Sequence, residues 1–475
     1  MRQFGIVSCL ALALGIASPE IALAAPPAVV AVVGGTVVDG TGAPPLGDGV
    51  VVVREGRIAC TGRRASCPVP PGAEVLDVRG SWVTPGLVDA HVHFGQTGWA
   101  DGRPDSLDVR DRYPYEQVQA TLRREPERFF RSYLCAGVTG VFDVGGYPWS
   151  WDLRTQAAAD PHAPHVAAAG PLLSTYDFWL NVPAERQFIY LADEKTARDG
   201  VRYLAANGAD AVKVWYIPVK TRPVEEMAAV VKAAGDEAHQ AGLPLIVHAT
   251  GLHEAKVALE AGARVLVHSV DDLPVDDEFV RMAKANGTIY CPTLTVVGGY
   301  LRMYEAAASH TAPAVDDPNG CVDQVTRAHL AETATLPFDP AVVKAKLERT
   351  RARVEAGNRV MADNLKRVVA ARIPVAMGTD AGNPLTLPGP SVYAEMEAMQ
   401  ADGMTPMQVL VAATRNAALA MGRAGASLGT LEAGKAGDVL VVAADPTADI
   451  AAMRKVRYVV RAGVVHREVD LAATR

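Results

Sequence analysis

Residues 86–93 read GLVDAHVH, an apolar run that ends in the dyad His91-Val92-His93. Alternate residues of a strand lie on the same face, so His91 and His93 can point into one cavity and hold one cation. Such a pair alone is weak evidence, because histidine ligation needs other nitrogen or oxygen donors close by. The case for a metal site becomes stronger because further metal-ligand residues occur in strand-like contexts, namely Lys213, His248, His268 and Asp380.

Each of these four residues lies in or at the end of a short apolar run of strand character, at 209–215, 244–248, 264–268 and 373–382. Three further runs share the pattern without a ligand, at 138–145, 165–173 and 288–295. The segments between the runs are rich in Ala, Glu, Lys, Arg and Leu, as amphipathic helices are. With the run before His91, this alternation predicts a (β/α)8 barrel, whose reactive residues lie at the C-terminal ends of its strands.

Two regions of unlike composition flank the barrel, which we place at 85–427. Both are rich in valine and glycine, with period-two runs separated by turns. Neither has enough apolar surface for its own core, so we expect residues 25–84 and 428–475 to build one composite β-sandwich domain. A long insertion at 300–372 contains helical stretches at 304–311 and 341–354, and its position at the catalytic face makes it a candidate lid.

The first 24 residues have the pattern of a secretory signal peptide. A short positive start precedes an apolar core at 6–16. Ala22 and Ala24 provide small side chains where a signal peptidase requires them, so we expect cleavage after Ala24 or Ala25. A membrane anchor is the alternative, but Pro19 and Glu20 interrupt the run, which falls short of the ~20 residues needed to span a bilayer. The sequence therefore predicts a periplasmic or secreted protein with no membrane insertion after cleavage.

Composition is consistent with a large barrel core, and the expected export changes how the cysteines are interpreted. The chain has 475 residues, 49% of them hydrophobic, and a formal charge of −7, which provides no field to attract nucleic acid or an anionic membrane. Outside the cytoplasm Cys60 and Cys67 could form a disulfide. Cys135, Cys291 and Cys321 show no spacing that indicates a shared bridge or a metal site, and we expect Cys291 to pack in the seventh strand.

The chain resembles the amidohydrolase superfamily, in its imidazolonepropionase-like and Xaa-Pro dipeptidase (prolidase)-like branch. The resemblance covers nearly the whole mature chain. It rests on TPGLVDAHVH at 84–93, the strand around Lys213, the separate strand-end residues His248 and His268, GTDAG at 378–382 and LGTLEAGKAGDV at 428–439. It implies a metal-dependent hydrolase barrel with a small β-domain built from both ends of the chain.

The resemblance also implies a ligand set for two divalent ions, with zinc expected. His91, His93 and Asp380 would hold the first ion and His248 and His268 the second, with Lys213 bridging them as a carbamate. Burial and two nearby cations would favour the neutral amine that adds CO₂. Taken alone, without the histidines and Asp380, a strand-end lysine such as Lys213 favours an ion pair at the barrel rim.

Zinc lowers the pKa of bound water to about 7, and two ions can share one hydroxide while one of them polarises a carbonyl. In this interpretation Asp380 is both ligand and proton shuttle, passing the proton from the bridging hydroxide to the leaving nitrogen. In its glycine-rich surroundings Asp380 could instead be a helix N-cap or turn residue.

Candidate substrate-binding residues follow two of the strands. Trp215 and Tyr216 could wall the pocket, with Tyr216 as an oxyanion donor. Tyr176, after the third strand, could contact substrate or pack its loop. His253 could contact substrate or begin the next helix.

The sequence thus predicts an exported amidohydrolase that cleaves an amide-type bond in a dipeptide, an N-acyl amino acid or a similar small amide. Lactone, carbamate or cyclic-imide hydrolysis uses the same machinery and is the alternative. A non-catalytic binding barrel would have lost ligands, whereas this chain has all six. The expected partner is a small-molecule substrate and not nucleic acid. The sequence does not decide whether the protein forms a homo-oligomer.

Overall fold

The computed structural model describes residues 29–177 and 186–473. The expected signal peptide, residues 1–24, lies outside the described residues. Within the described ranges, no helix is both long enough and apolar enough to cross a membrane.

Strands run through both terminal regions and through the barrel. In chain order they are β1 (Val29–Val37), β2 (Leu46–Arg54), β3 (Arg57–Arg63), β4 (Glu74–Asp77), β5 (Trp82–Pro85), β6 (Leu87–Val92), β7 (Val138–Asp143), β8 (His165–Ala168), β9 (Leu172–Ser174), β10 (Phe188–Tyr190), β11 (Val212–Trp215), β12 (Leu245–His248), β13 (Val265–Val267), β14 (Ile289–Cys291), β15 (Val439–Val442), β16 (Val456–Arg461) and β17 (Val464–Arg467).

Most α-helices lie between barrel strands or in the insertion. In chain order they are α1 (Tyr115–Arg124), α2 (Glu127–Cys135), α3 (Leu153–Ala159), α4 (Glu194–Ala206), α5 (Val224–Gln240), α6 (Leu252–Glu260), α7 (Asp277–Asn286), α8 (Val296–Ser309), α9 (Gln324–Glu332), α10 (Pro340–Ala370), α11 (Ser391–Ala401), α12 (Pro406–Val411), α13 (Ala417–Ala420) and α14 (Glu468–Leu471).

Both ends of the chain contribute to one eight-stranded sheet, in the order β17-β16-β15-β5-β1-β2-β3 with β4 paired to β1. The two ends meet where β15 pairs antiparallel with β5. Successive residues of β1 face opposite sides, as a strand requires. Val30 and Val32 pack in a cluster with Val439, whereas Ala31 packs in a separate cluster with Cys67. The sheet therefore buries apolar side chains on both faces, with C-terminal strands supplying part of one cluster.

The barrel consists of parallel strands in two hydrogen-bonded groups, β6-β7-β8 and β10-β9-β11-β12-β13-β14. The eighth segment, 373–380, joins these groups although it forms no extended strand. On one side the Ala376 N–H donates to Tyr290 O at 2.9 Å. On the other side the Asp380 N–H donates to His91 O at 2.7 Å. The predicted (β/α)8 architecture is confirmed, with the seventh predicted strand holding buried Cys291.

The third predicted strand, 165–173, is divided in two. β8 pairs with β7, and β9 pairs with β11. Between them Gly170 has a φ of +76°, and Pro171 has no N–H to donate. These two residues break the strand, so the single run predicted from the sequence is corrected to two short strands.

The insertion after β14 carries three helices, α8, α9 and α10. The predicted helical stretches 304–311 and 341–354 fall largely in α8 and α10, although both helices are longer, and α10 has 31 residues. Apolar residues of the insertion, such as Met303 and Leu330, pack with Trp99 and Leu387 of the barrel loops. The insertion is therefore fixed on the C-terminal face of the barrel by an apolar cluster of its own.

Two disulfides are present among the described residues. Cys60 pairs with Cys67 inside the terminal sheet domain, as the sequence allowed. Cys135, at the end of α2, pairs with Cys321, which precedes α9. The expectation that Cys135 and Cys321 share no bridge is wrong, because folding brings together two residues 186 positions apart in sequence. The second disulfide joins the insertion to a barrel helix.

Candidate metal centre and active site

Six side chains predicted as metal ligands converge at the C-terminal ends of the barrel strands. They line one cavity of about 610 Å³ at the barrel mouth. β6 and the residue after it carry the histidine dyad, and the other residues lie on or directly after β11, β12, β13 and the eighth segment. These six site residues are His91, His93, Lys213, His248, His268 and Asp380.

Three of the site residues can share one ion. Asp380 Oδ1 lies 3.3 Å from His91 Nε2 and 3.0 Å from His93 Nε2. One ligand atom from each of the three lies within 4.8 Å of the others, and all three residues are buried. Two imidazoles and a carboxylate form a donor set suited to a divalent transition metal.

The other two histidines lie directly beside this group. The ring centroids of His248 and His268 are 4.3 Å apart, and His268 is 5.0 Å from the ring of His91. Lys213 is buried, and its charge lowers the pKa of His91 as well as those of His248 and His268. Lys213 lines the same cavity as both groups of histidines.

Burial determines the protonation states of the site. It lowers the pKa of His91 and of His248 well below the ordinary histidine value, and that of His268 to about 3. It also lowers the pKa of the Lys213 amine to about 8. Burial alone would raise the pKa of Asp380, but the imidazoles of His91 and His93 hold that pKa well below its usual range. His91, His248 and His268 are thus neutral beside an ionised Asp380, and these are the protonation states in which such groups bind metal.

His91 provides an independent test of whether the site fits a metal. Both of its ring nitrogens are buried, and neither has a hydrogen-bond partner among the described residues. A buried polar atom without a partner costs about 1–3 kcal/mol. A cation bound at Nε2, between His91 and Asp380, would remove that cost at one of the two nitrogens. The residues therefore fit the metal that the donor set suggests.

Backbone and hydroxyl groups orient two of the histidines. Gly145 O accepts a hydrogen bond from His93 Nδ1 at 2.6 Å, so Nε2 is the ring nitrogen that faces Asp380 and would bind a metal. On His268, Nδ1 lies 2.6 Å from Thr293 Oγ1. These contacts fix which ring nitrogen faces the cavity.

Asp380 has a left-handed backbone conformation, with a φ of 63°. This conformation is strained for a residue other than glycine and persists only where the surroundings enforce it. The Nδ2 of Asn383 donates to Asp380 O at 2.9 Å, and the Tyr300 hydroxyl donates to Asn383 Oδ1 at 2.6 Å. Tyr300 of insertion helix α8 is therefore linked to Asp380 through Asn383.

The cavity has an apolar wall near β9 and β11. Leu172, Phe188, Trp215, Ile217 and Pro218 line it. The rings of Phe188 and Trp215 lie 5.1 Å apart, and Trp215 lies 6.1 Å from the His248 ring. An apolar substituent of a bound substrate would therefore find an aromatic surface next to the site residues.

The insertion forms another wall, and sequence reasoning did not identify its residues. Tyr300 and Tyr304 of α8 line the cavity together with residues of α10 and of the barrel loops, namely Lys346, Arg349, Arg353, Arg103, Asp105 and Asn383. Their contribution depends on the tertiary position of the insertion. The only signal in the sequence was the length of the insertion itself.

The predicted substrate residues have different positions. Trp215 lines the cavity, whereas Tyr216 does not. The Tyr216 hydroxyl is buried without a hydrogen-bond partner in the part of the chain that the structure describes. Tyr176 is 37% exposed, and His253 is exposed in the first turn of α6. Neither of these two residues lines the cavity, so Trp215 alone of the four is brought to the site residues.

The fold and the site define a (β/α)8 hydrolase with a candidate metal centre at its strand ends. The family model described as "Amidohydrolase family" matches residues 82–465, and the chain belongs to this family. It is similar to an imidazolonepropionase of Rhizorhabdus wittichii, with 28% identity over 430 residues, 83% of this chain and 88% of the relative.

Two solved structures share the fold. A Xaa-Pro dipeptidase with bound methionine in its active site has a TM-score of 0.68 and 21% identity, covering 92% of this chain and 100% of that one. Molinate hydrolase has a TM-score of 0.69 and 22% identity, covering 95% and 97%. The family and its imidazolonepropionase relative make the protein a hydrolase of carbon–nitrogen bonds, and the solved structures show that a Xaa-Pro dipeptidase shares its fold.

Proposed function

We propose that this amidohydrolase uses metal ions to cleave an amide-type bond in a dipeptide, an N-acyl amino acid or a similar small amide. The observation that carries the proposal is the convergence of the six site residues in one cavity of about 610 Å³. Such a volume suits a small molecule. The Xaa-Pro dipeptidase among the similar structures supports the substrate class by its name.

His91, His93 and Asp380 would hold one ion, and His248 and His268 a second, with zinc as the expected metal. When bound, such ions lower the pKa of coordinated water and polarise the scissile carbonyl. Lys213 would bridge them as a carbamate, formed when its neutral amine adds CO₂ and releases a proton. A pKa of about 8 leaves a neutral fraction of this amine at neutral pH, which supports the modification.

Asp380 would serve as the proton carrier. Its Oδ1 lies 3.3 Å from His91 Nε2 and 3.0 Å from His93 Nε2, so it would lie beside a water held at these residues and accept a proton from that water as it attacks. It then donates that proton to the leaving nitrogen, because an amide anion is a very poor leaving group. Asn383, which holds the backbone of Asp380, would keep the carboxylate aimed at the reacting atoms.

We also propose that the protein is exported with cleavage near Ala25. The disulfides Cys60–Cys67 and Cys135–Cys321 support this, because disulfides persist in oxidising compartments. N-terminal sequencing of protein recovered from the periplasm or the medium tests the proposal. A start near Ala25 is expected, and an intact Met1 in that material would contradict it.

The activity is tested with purified protein and a panel of dipeptides, N-acyl amino acids and lactones. We expect hydrolysis of at least one amide substrate, loss of that activity on chelation and its return on adding Zn²⁺. Hydrolysis of lactones without any amide would show that the proposed bond type is wrong. Full amide hydrolysis after complete metal removal would show that the proposed metal dependence is wrong.

A further inference from the structure

One face of α10 lies over the cavity and is basic. Lys346, Arg349 and Arg353 line the cavity, and their spacing of three and four residues places them on one side of the helix. They lie on the insertion and not on the barrel strands that carry the site residues. The basic face of α10, as we call these three residues, is thus a feature of the insertion.

The charges around this face do not balance. Among the residues that the structure describes, and apart from the six site residues, the cavity lining contains four basic side chains, Arg103 and the basic face of α10, and two carboxylates, Asp105 and Asp271. The described part of the lining, without the six site residues, therefore has an excess of two positive charges. A cavity with such an excess attracts an anionic ligand.

Most of these cations already have partners. Arg103 binds Asp105 through two hydrogen bonds of 2.8 Å, and Arg353 binds Asp271 at 2.8 Å. Lys346 donates to the backbone carbonyl of Asp105 at 2.7 Å. The guanidinium of Arg349 has no hydrogen bond or ion pair with any residue that the structure describes. Arg349 is therefore the cation that remains available to a ligand.

We propose that the substrate carries a carboxylate, bound by Arg349 with help from the charge of Lys346, and an apolar group that packs against Phe188 and Trp215. The inference rests on the proposed amide hydrolysis and narrows its substrate class to amides of amino acids with a free carboxylate. A guanidinium binds a carboxylate through two parallel hydrogen bonds, which gives geometric specificity as well as affinity. Neutral amides of the same size lack the group that Arg349 would bind.

The test compares two amides that differ only by the carboxylate, N-benzoyl-L-leucine and N-(3-methylbutyl)benzamide, on the metal-loaded protein. We expect kcat/KM to be at least about tenfold higher for the acid, the effect of one charge-assisted hydrogen bond. Arg349→Gln should lose at least about tenfold on the acid, mainly through KM, and little on the neutral amide. Added salt should raise KM for the acid only.

Arg359→Gln is the matched control, because Arg359 lies on the same helix with its side chain 93% exposed and does not line the cavity. Arg359→Gln should leave kcat/KM unchanged for both substrates. Equal kcat/KM for both substrates in the wild type, or equal losses on both in Arg349→Gln, would overturn the carboxylate subsite while leaving amide hydrolysis intact.

If the wild type cleaves neither amide, the proposed hydrolysis of such amides fails, and calorimetry still tests the subsite. Binding of N-benzoyl-L-leucine should then weaken at least about tenfold in Arg349→Gln. Unchanged affinity would overturn the subsite as well.

Discussion

Thr379 donates a hydrogen bond from its hydroxyl to Asp89 Oδ2 at 2.6 Å, and its N–H donates to Asp89 Oδ1 at 3.0 Å. Asp89 Oδ1 also accepts a hydrogen bond from the N–H of His91 at 3.2 Å. One fully buried carboxylate thus joins the strand that carries His91 to the segment that carries Asp380. The spacing of these two candidate ligands depends on a residue that does not line the cavity.

Removing this link should therefore affect stability and metal binding together. Asp89→Ala leaves two backbone N–H groups and one hydroxyl without their acceptor, so we expect a loss of about 3 kcal/mol in the free energy of unfolding. Metal content should also fall. Chemical denaturation of the metal-free protein measures the first effect and elemental analysis the second.

The control for this variant is Asp108→Ala, because Asp108 is an exposed aspartate paired with Arg110. It should change stability by less than about 0.5 kcal/mol. If Asp89→Ala behaved like the control in both measurements, Asp89 would not organise the site.

The second prediction separates metal binding from proton transfer at Asp380. Asp380→Asn keeps the shape and one oxygen, so most of the metal should remain. We expect kcat on an amide to fall at least about 100-fold, with a smaller loss on an activated ester, whose leaving group needs no proton. Equal, slight losses on both substrates at full metal occupancy would show that Asp380 is not the proton carrier.

The third prediction concerns the disulfide between Cys135 and Cys321. It closes a sequence separation of 186 residues, whereas Cys60–Cys67 closes one of 7. In the chain-entropy model the longer loop contributes more stability, so replacing Cys135 and Cys321 with Ser should cost about 4–5 kcal/mol. The matched double Ser variant of Cys60 and Cys67 should cost less. Thermal unfolding of the two variants compares them, and a larger loss in the Cys60 and Cys67 variant would contradict the prediction.

The fourth prediction is a pH dependence of reconstitution. Burial places the pKa of Lys213 at about 8, and only the neutral amine adds CO₂. The neutral fraction is about 1% at pH 6 and about 90% at pH 9, so activation of metal-free protein by metal and bicarbonate should be faster at the higher pH. Activation that is equally fast without bicarbonate at both pH values would argue against the carbamate. Activity should be assayed after return to one common pH.

The barrel was predictable because its strands are short apolar runs that end in polar residues. That local pattern also identified His248, His268 and Asp380, since parallel barrel strands end at the same face. The alternation of strand side chains would have distinguished Trp215 from Tyr216 as well. If Lys213 faces the cavity, the residue two positions later faces it too, and the next residue does not.

Other features depend on contacts that no local pattern contains. Arg349 and Lys346 reach the cavity only because the insertion packs over the barrel mouth. Cys135 and Cys321 become neighbours for the same reason. The division between β8 and β9, by contrast, was present in the sequence as Gly170-Pro171 and could have been predicted from the missing proline N–H.

The six site residues form, in our proposal, one metal centre that supports amide hydrolysis. The most direct measurement is the metal-to-protein ratio of wild type, His248→Ala and His253→Ala, determined by elemental analysis with amide hydrolysis assayed on the same samples. We predict about two divalent ions per chain in the wild type. His253→Ala should hold the same number, because His253 is exposed on α6. His248→Ala should hold about one ion and lose activity. A wild type without stoichiometric metal, or His248→Ala with full metal content and full activity, would contradict the proposed metal centre.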